Sequence, residues 1–158
     1  MPSSTDRLEK SIVLPVPRAR VWQAITDVHE FNEWFGVDLT APFVPGAAVS
    51  GRLRVPGYEH LLLTAWVETI EPERRFAFRW HPNATDTSID YSGEPTTLVT
   101  FTLEDVDGGT RLTIVESGFD ALPESRRIRA LTSNSNGWTS QLTRIAEHVS
   151  TARTAKTS

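Results

Sequence analysis

The sequence predicts an α+β domain in which a curved antiparallel sheet of about six or seven strands wraps around a long C-terminal helix, with two short helices between strands one and two. Three observations predict it. Between Ala47 and Ser117 short β-rich runs alternate with turn residues, which is the punctuation of a hairpin meander. Within those runs apolar residues fall at every second position, so the sheet has one face to bury. From Pro123 the chain then continues to about Ser150 without another proline, a length that suits a helix.

The elements follow in order. Leu8 to Leu14 contains the β-branched pair Ile12 and Val13 and stops at Pro15 and Pro17, as strands do at proline. Pro17 at a first helical position, followed by Val21, Trp22 and Ile25 at helical spacing, predicts a short helix that ends near Asp27. A second short helix holds Phe31, Trp34 and Phe35 and stops at Gly36. A brief strand at Val37 to Thr40 precedes the runs Ala47 to Val55, His60 to Ile70 and Arg74 to Trp80. Thr96 to Leu103 and Thr110 to Ser117 form the last hairpin across Asp107, Gly108 and Gly109, where glycine accepts positive φ.

After Gly118 the helix carries the stripe Ile128, Leu131, Ser135, Trp138, Leu142, Ile145 and Val149, spaced three and four apart. Its middle, Ser133 to Gly137, is made of poor helix formers, so tertiary contacts hold it or the helix breaks there. Residues 7–150 make one domain, and 1–6 and 151–158 read as flexible tails.

With 158 residues, 39% hydrophobic and 23% charged, the composition is that of a folded globular protein. A net charge of -4 gives no basic excess for phosphate neutralisation, so nucleic acid is not expected as a partner. No cysteine occurs, and His29, His60, His81 and His148 share no ligand spacing; neither a metal nor a cofactor is expected. No run has the length of a signal or membrane segment, which predicts a cytoplasmic protein without a membrane span. Nucleotide loops, GxSxG elbows, HExxH helices and dinucleotide fingerprints are also missing from the sequence.

Four blocks carry a family resemblance: WQAITDVHEFNEWFG (Trp22 to Gly36), VETIEPERRFAFRW (Val67 to Trp80), LVTFTLEDVDGGTRLTIVESGF (Leu98 to Phe119) and NGWTSQL (Asn136 to Leu142). In order and spacing they resemble the family named for the C-terminal domain of the heat-shock-protein ATPase activator. That family lies within the START-like superfamily of polyketide cyclases and birch-pollen-allergen-like proteins. The resemblance implies the helix-grip fold, with an apolar cavity between sheet and helix that in relatives holds lipids, sterols or polyketides. The blocks encode packing and turns, so they specify fold and family more than function.

Strand parity places the candidate site independently. Phe76, Phe78 and Trp80 alternate with Arg75, Ala77 and Arg79, and Val99, Phe101 and Leu103 with Thr100 and Thr102. The apolar members face the helix, either as ligand-binding wall or as plain core. Trp34 and Phe35 on the short helix stand in the same position. Trp138 beside Gly137 can reach the sheet while leaving space next to it. Asn134 and Ser135 interrupt the buried stripe and need hydrogen bonds, water or a ligand.

Glu116 falls in register with Leu112 and Ile114 on the inner side, where burial would raise a carboxyl pKa toward the range of a general acid; the alternative is a wet strand end. His81 either pairs with Glu116 or is a surface turn residue. Alternate connections of a meander share one rim, so the 15 positions from His81 to Pro95, with Asp90 and Tyr91, would flank the entrance. Arg126, Arg127 and Arg129 read as an exposed helix face.

The function these residues favour is a small-molecule binding protein holding an apolar or lipid-like ligand through Trp34, Phe35, Phe76, Phe78, Trp80, Phe101, Glu116, Ser135 and Trp138, with no catalytic residue assigned. An alternative is an enzyme resembling the polyketide cyclases and aromatases, for which Glu116, His81 and Tyr91 are the available proton-moving groups. A chaperone partner, as co-chaperone stimulating its ATPase, is implied by the family name alone. The eukaryotic activators carry a further N-terminal domain for docking, whereas about seven residues precede strand one here. A homodimer through an exposed sheet face or edge completes the expected partners.

Overall fold

Turn chemistry sets where each element begins and ends. The computed structural model describes residues 6–82 and 91–157, with side chains described to residue 150. Pro17 stands at the N-cap of α1 (Arg18–Thr26), one residue earlier than expected. Asp27 closes that helix and opens α2 (Val28–Phe35), its side chain accepting from the backbone N–H of His29 at 2.9 Å and of Glu30 at 3.2 Å. That is an N-cap satisfying two orphan donors. Gly36 ends α2 at φ 88°, a left-handed conformation that glycine adopts without penalty.

The strands are β1 (Arg7–Leu14), β2 (Val37–Leu39), β3 (Ala48–Leu53), β4 (Leu62–Glu71), β5 (Arg75–Trp80), β6 (Thr97–Val106) and β7 (Gly109–Ser117). They form one 7-stranded sheet in the order β1-β7-β6-β5-β4-β3-β2, antiparallel throughout. Because β1 and β2 lie at opposite edges, α1 and α2 must cross the sheet between them. The predicted fold class is therefore the one found. The register of β4 on β5 shifts between Val67 and Thr69, and such bulges add the local twist that curves a sheet.

The inner face is aromatic and aliphatic: Phe76, Phe78, Phe101, Leu112 and Ile114 are fully buried. Phe43 and Phe76 meet at 4.9 Å between ring centres, and Phe76 and Phe101 at 5.8 Å. These rings are part of the buried core cluster.

The final helix, α3, runs unbroken over Glu124–Thr157, straight through Ser133 to Gly137 and past Ser150. Trp138, Leu142, Ile145 and Val149 are buried as expected, but Ile128, expected to head the stripe, is 55% exposed, and Ala130 is buried instead. A strict three-and-four spacing repeats every seven residues and drifts by about 20° per heptad on a straight helix, so three heptads rotate its start by about 60° off the inner face. The same drift carries Leu131 and Ser135 to a half-buried flank and turns Asn134 inward.

Polar contacts fasten α3 along its length. At its start Arg126 makes a two-pronged contact with Glu94 at 2.9–3.1 Å, donates to the Pro82 carbonyl at 2.9 Å and lies over the Tyr91 ring at 4.8 Å. The expected exposed arginine face holds for Arg129 but not for the half-buried Arg126 and Arg127, and pairing the Arg126 guanidinium with a carboxylate ties the β5–β6 connection to the helix. Further along, Gln141 Nε2 donates to the Phe35 carbonyl at 3.1 Å, and His148 meets Glu30 at 2.9 Å. Asp6, which the sequence leaves in the N-terminal tail, accepts from the N–H of Gly118 and Phe119. Residues 83–90 of the long rim connection, Asp90 among them, lie outside the described residues.

One glycine tests the sheet edge. A Cβ on Gly51 would stand 2.1 Å from the Asp38 carbonyl oxygen on β2, and backbone cannot yield as a side-chain tip can. Gly51→Ala is expected to lower stability by at least about 2 kcal/mol in urea unfolding, through loss of β2 pairing.

Candidate functional site

Three neighbouring strands and the final helix converge on one carboxylate. Register places Val99 opposite Glu116, and Trp80 opposite Thr97 in the next inward row toward the rim. Glu116 is 0% exposed. Its Oε2 accepts from Trp80 Nε1 at 2.8 Å and from Thr97 Oγ1 at 2.5 Å, and its Oε1 from Trp138 Nε1 at 2.9 Å. Asn134 Nδ2 lies 3.0 Å from each oxygen. Asn134 and Trp138 are one helical turn apart, so a single face of α3 delivers both.

Four donors on two oxygens occupy nearly all the lone-pair positions a carboxylate has. The group is therefore a structural acceptor, with little left to offer a reacting molecule. His81, the other proton-moving candidate, packs edge-on against Trp66 at 5.5 Å, and Trp66 is 40% exposed on the outer face. Tyr91 lies beneath the Arg126 guanidinium.

Beside the carboxylate cluster lies a pocket of about 100 Å³ lined by Phe35, Trp80, Asn134, Gly137, Trp138 and Gln141. Trp80 and Trp138 stack at 5.6 Å with 25° between planes, and Phe35 meets their edges at 6.0 and 6.1 Å. Sliding either indole into the space beside it would pull its N–H from Glu116. Gly137, at mid-helix with nothing within 4 Å of its would-be Cβ, leaves the wall open.

The structure sorts the nine sequence candidates. Phe35, Trp80 and Trp138 line the pocket, and Glu116 stands behind two of those rings. Phe76, Phe78 and Phe101 lie in the same buried core cluster as those rings but do not line this pocket. Trp34 is buried with its N–H on the Ala24 carbonyl at 2.8 Å. Ser135 borders a separate groove beside β1, with Arg7, Leu8, Leu131, Thr132 and Asn136. Sequence reasoning passed over Thr97 and Gln141. The signal for Gln141 is helical spacing, three residues after Trp138 and seven after Asn134; that for Thr97 is its register with Trp80.

Removing the acceptor tests the cluster. Glu116→Ala leaves four donors unmet, three of them buried, and is expected to lose about 3–5 kcal/mol in urea unfolding, while Glu116→Gln, which keeps one oxygen, loses less. Equal stability of Glu116→Ala and the parent would show that these hydrogen bonds carry no weight.

Comparison with known proteins agrees with this architecture. Among the described residues no helix is long and apolar enough to cross a membrane. No curated protein matches the sequence. Among solved structures the chain is similar to protein MLL2253 from Mesorhizobium loti, at 21% identity over 91% of this chain and 96% of that one, with a TM-score of 0.72. DynU16, a putative protein in the dynemicin biosynthetic locus, shares 25% identity over 96% of this chain and 49% of its own, with a TM-score of 0.70. The Aha1 dimer from Colwellia psychrerythraea shares 17% over 90% of this chain and 95% of that one, with a TM-score of 0.67. The profile of the family described as "Activator of Hsp90 ATPase homolog 1-like protein" matches residues 15–150, and with that span of the chain covered, the protein belongs to this family.

Proposed function

We propose that this protein binds a small apolar or lipid-like molecule between the sheet and α3, in the pocket walled by Phe35, Trp80 and Trp138. The observation that supports this best is unfilled space beside pinned rings. The pocket opens to solvent beside Gly137, which is exposed and where a larger side chain could have covered it. A glycine inside a helix costs about 1 kcal/mol relative to alanine. Stability alone does not account for its presence.

The volume bounds the ligand. A closed cavity of about 150 Å³ holds benzene whole, so a pocket of about 100 Å³ that opens to solvent suits a ring-sized group partly buried or the tip of a longer molecule. Burying on the order of 120 Å² of apolar surface yields roughly 3 kcal/mol. A ring-sized fragment should therefore bind in the millimolar range, and tight binding requires a ligand that extends past the mouth. Proton-transfer chemistry gains no support from this geometry, because Glu116 is committed to its donors and His81 packs against Trp66.

Gly137→Leu separates binding from folding. The variant is expected to gain about 0.5–1 kcal/mol of stability through helix propensity while losing response to benzyl alcohol, read as shifts of the Trp80 and Trp138 indole N–H resonances. Undiminished binding by this variant would show that the ligand lies elsewhere.

A further inference from the structure

The polar groups around the pocket lean toward acceptance. Both indole N–H groups donate to Glu116 and leave the rings no hydrogen for a ligand, while the Asn134 amide spends one of its two N–H groups there. Gln141 Nε2 gives one of its two N–H groups to the Phe35 carbonyl at 3.1 Å. A carbonyl can be met only by the amide nitrogen, so this contact fixes which end of the Gln141 amide is left over. That end is Oε1, a buried acceptor with no hydrogen-bond partner among the described residues.

Charge follows the same sense. None of the lining residues is Lys, Arg or His, and a carboxylate stands directly behind Trp80 and Trp138. Drawing on the N–H groups leaves the indole faces richer in electron density, which favours an adjacent cation over an anion. The Arg144 guanidinium rests against Gly36, 3.2 Å from its would-be Cβ, and does not line the pocket.

Resting on the binding role proposed above, we infer that the pocket selects a ligand group carrying an O–H or N–H donor, neutral or cationic, and turns away a carboxylate of the same shape. Gln141 Oε1 takes the donor, and the stacked indoles take the ring or the charge. The ligand is then an alcohol, phenol or amine at its buried end, and a fatty acid can enter only tail first. A site holding a buried acceptor discriminates against analogues that lack the donor, because the acceptor is otherwise left unmet.

Four ring-sized probes test this on the intact chain at neutral pH, followed by the indole N–H resonances of Trp80 and Trp138: toluene, benzyl alcohol, benzylamine and benzoate. Benzyl alcohol and benzylamine are expected to bind about tenfold more tightly than toluene, and benzoate more weakly than all three. Gln141→Met, close in shape, should abolish the preference for benzyl alcohol over toluene while leaving toluene itself unchanged. Benzoate binding as well as benzylamine, or four equal affinities, would overturn the inference and leave the binding role standing. If none of the four moves the indole resonances, the pocket is not a binding site for ring-sized groups and both readings fall.

Discussion

Withdrawing the Glu116 carboxylate from water costs several kcal/mol, and only donors held in fixed positions offset it. Those donors come from β5, β6 and two successive turns of α3. Each element must therefore sit within hydrogen-bonding distance of one point, which sets the depth and rotation of α3 over the sheet. The aromatic core below this point is non-directional and would accept a helix rotated by some tens of degrees. The carboxylate would not.

The same interaction resolves an inconsistency within α3. Ser133, Asn134, Ser135, Asn136 and Gly137 have weak helix propensity, yet the helix passes through them without a break. Asn134 anchors the middle of this stretch to Glu116, Trp138 anchors the next turn, and Gln141 clasps the end of α2. Local preference is overridden by tertiary contact. Had these positions been Leu and Ala, the helix would form more readily and the space beside Trp138 would fill.

Much of the fold was legible because strand parity and turn residues are local signals. Phe76, Phe78, Trp80, Phe101, Leu112 and Ile114 all face inward as alternation requires, and Gly36 ends α2 where it should. The helix stripe was read less well, since a seven-residue repeat resembles a straight 3.6-residue face over one heptad and departs from it over three; Ile128 and Ser135 were misplaced for that reason. The site was legible only in part. Phe35 and Trp138 stand out as large rings beside glycine and Trp80 as the last ring of an alternating strand, but the division between wall and core among the aromatics depends on sheet curvature, which alternation does not encode. The role of Glu116 as a shared acceptor requires Thr97 and Asn134 to be in reach, and no local pattern joins residues 19 and 18 positions from it.

A pocket between stacked rings ordinarily closes, because each wall atom gains dispersion contacts by moving inward. Trp80 and Trp138 have the size and the neighbours to do so. What opposes the movement is the carboxylate behind them: sliding either ring into the space would pull an indole N–H from a buried acceptor and leave both unsatisfied, at a penalty of about 1–3 kcal/mol for the group left unpaired. Collapse over a space of about 100 Å³ gains at most about 2 kcal/mol, the figure for a closed cavity at about 24 cal/mol per Å³, because this pocket is open to solvent. The balance is close enough for an open pocket to persist and for a ligand of modest affinity to settle it. On this view the polar cluster and the hollow beside it are one device, in which a directional interaction holds apart two surfaces that packing alone would bring together.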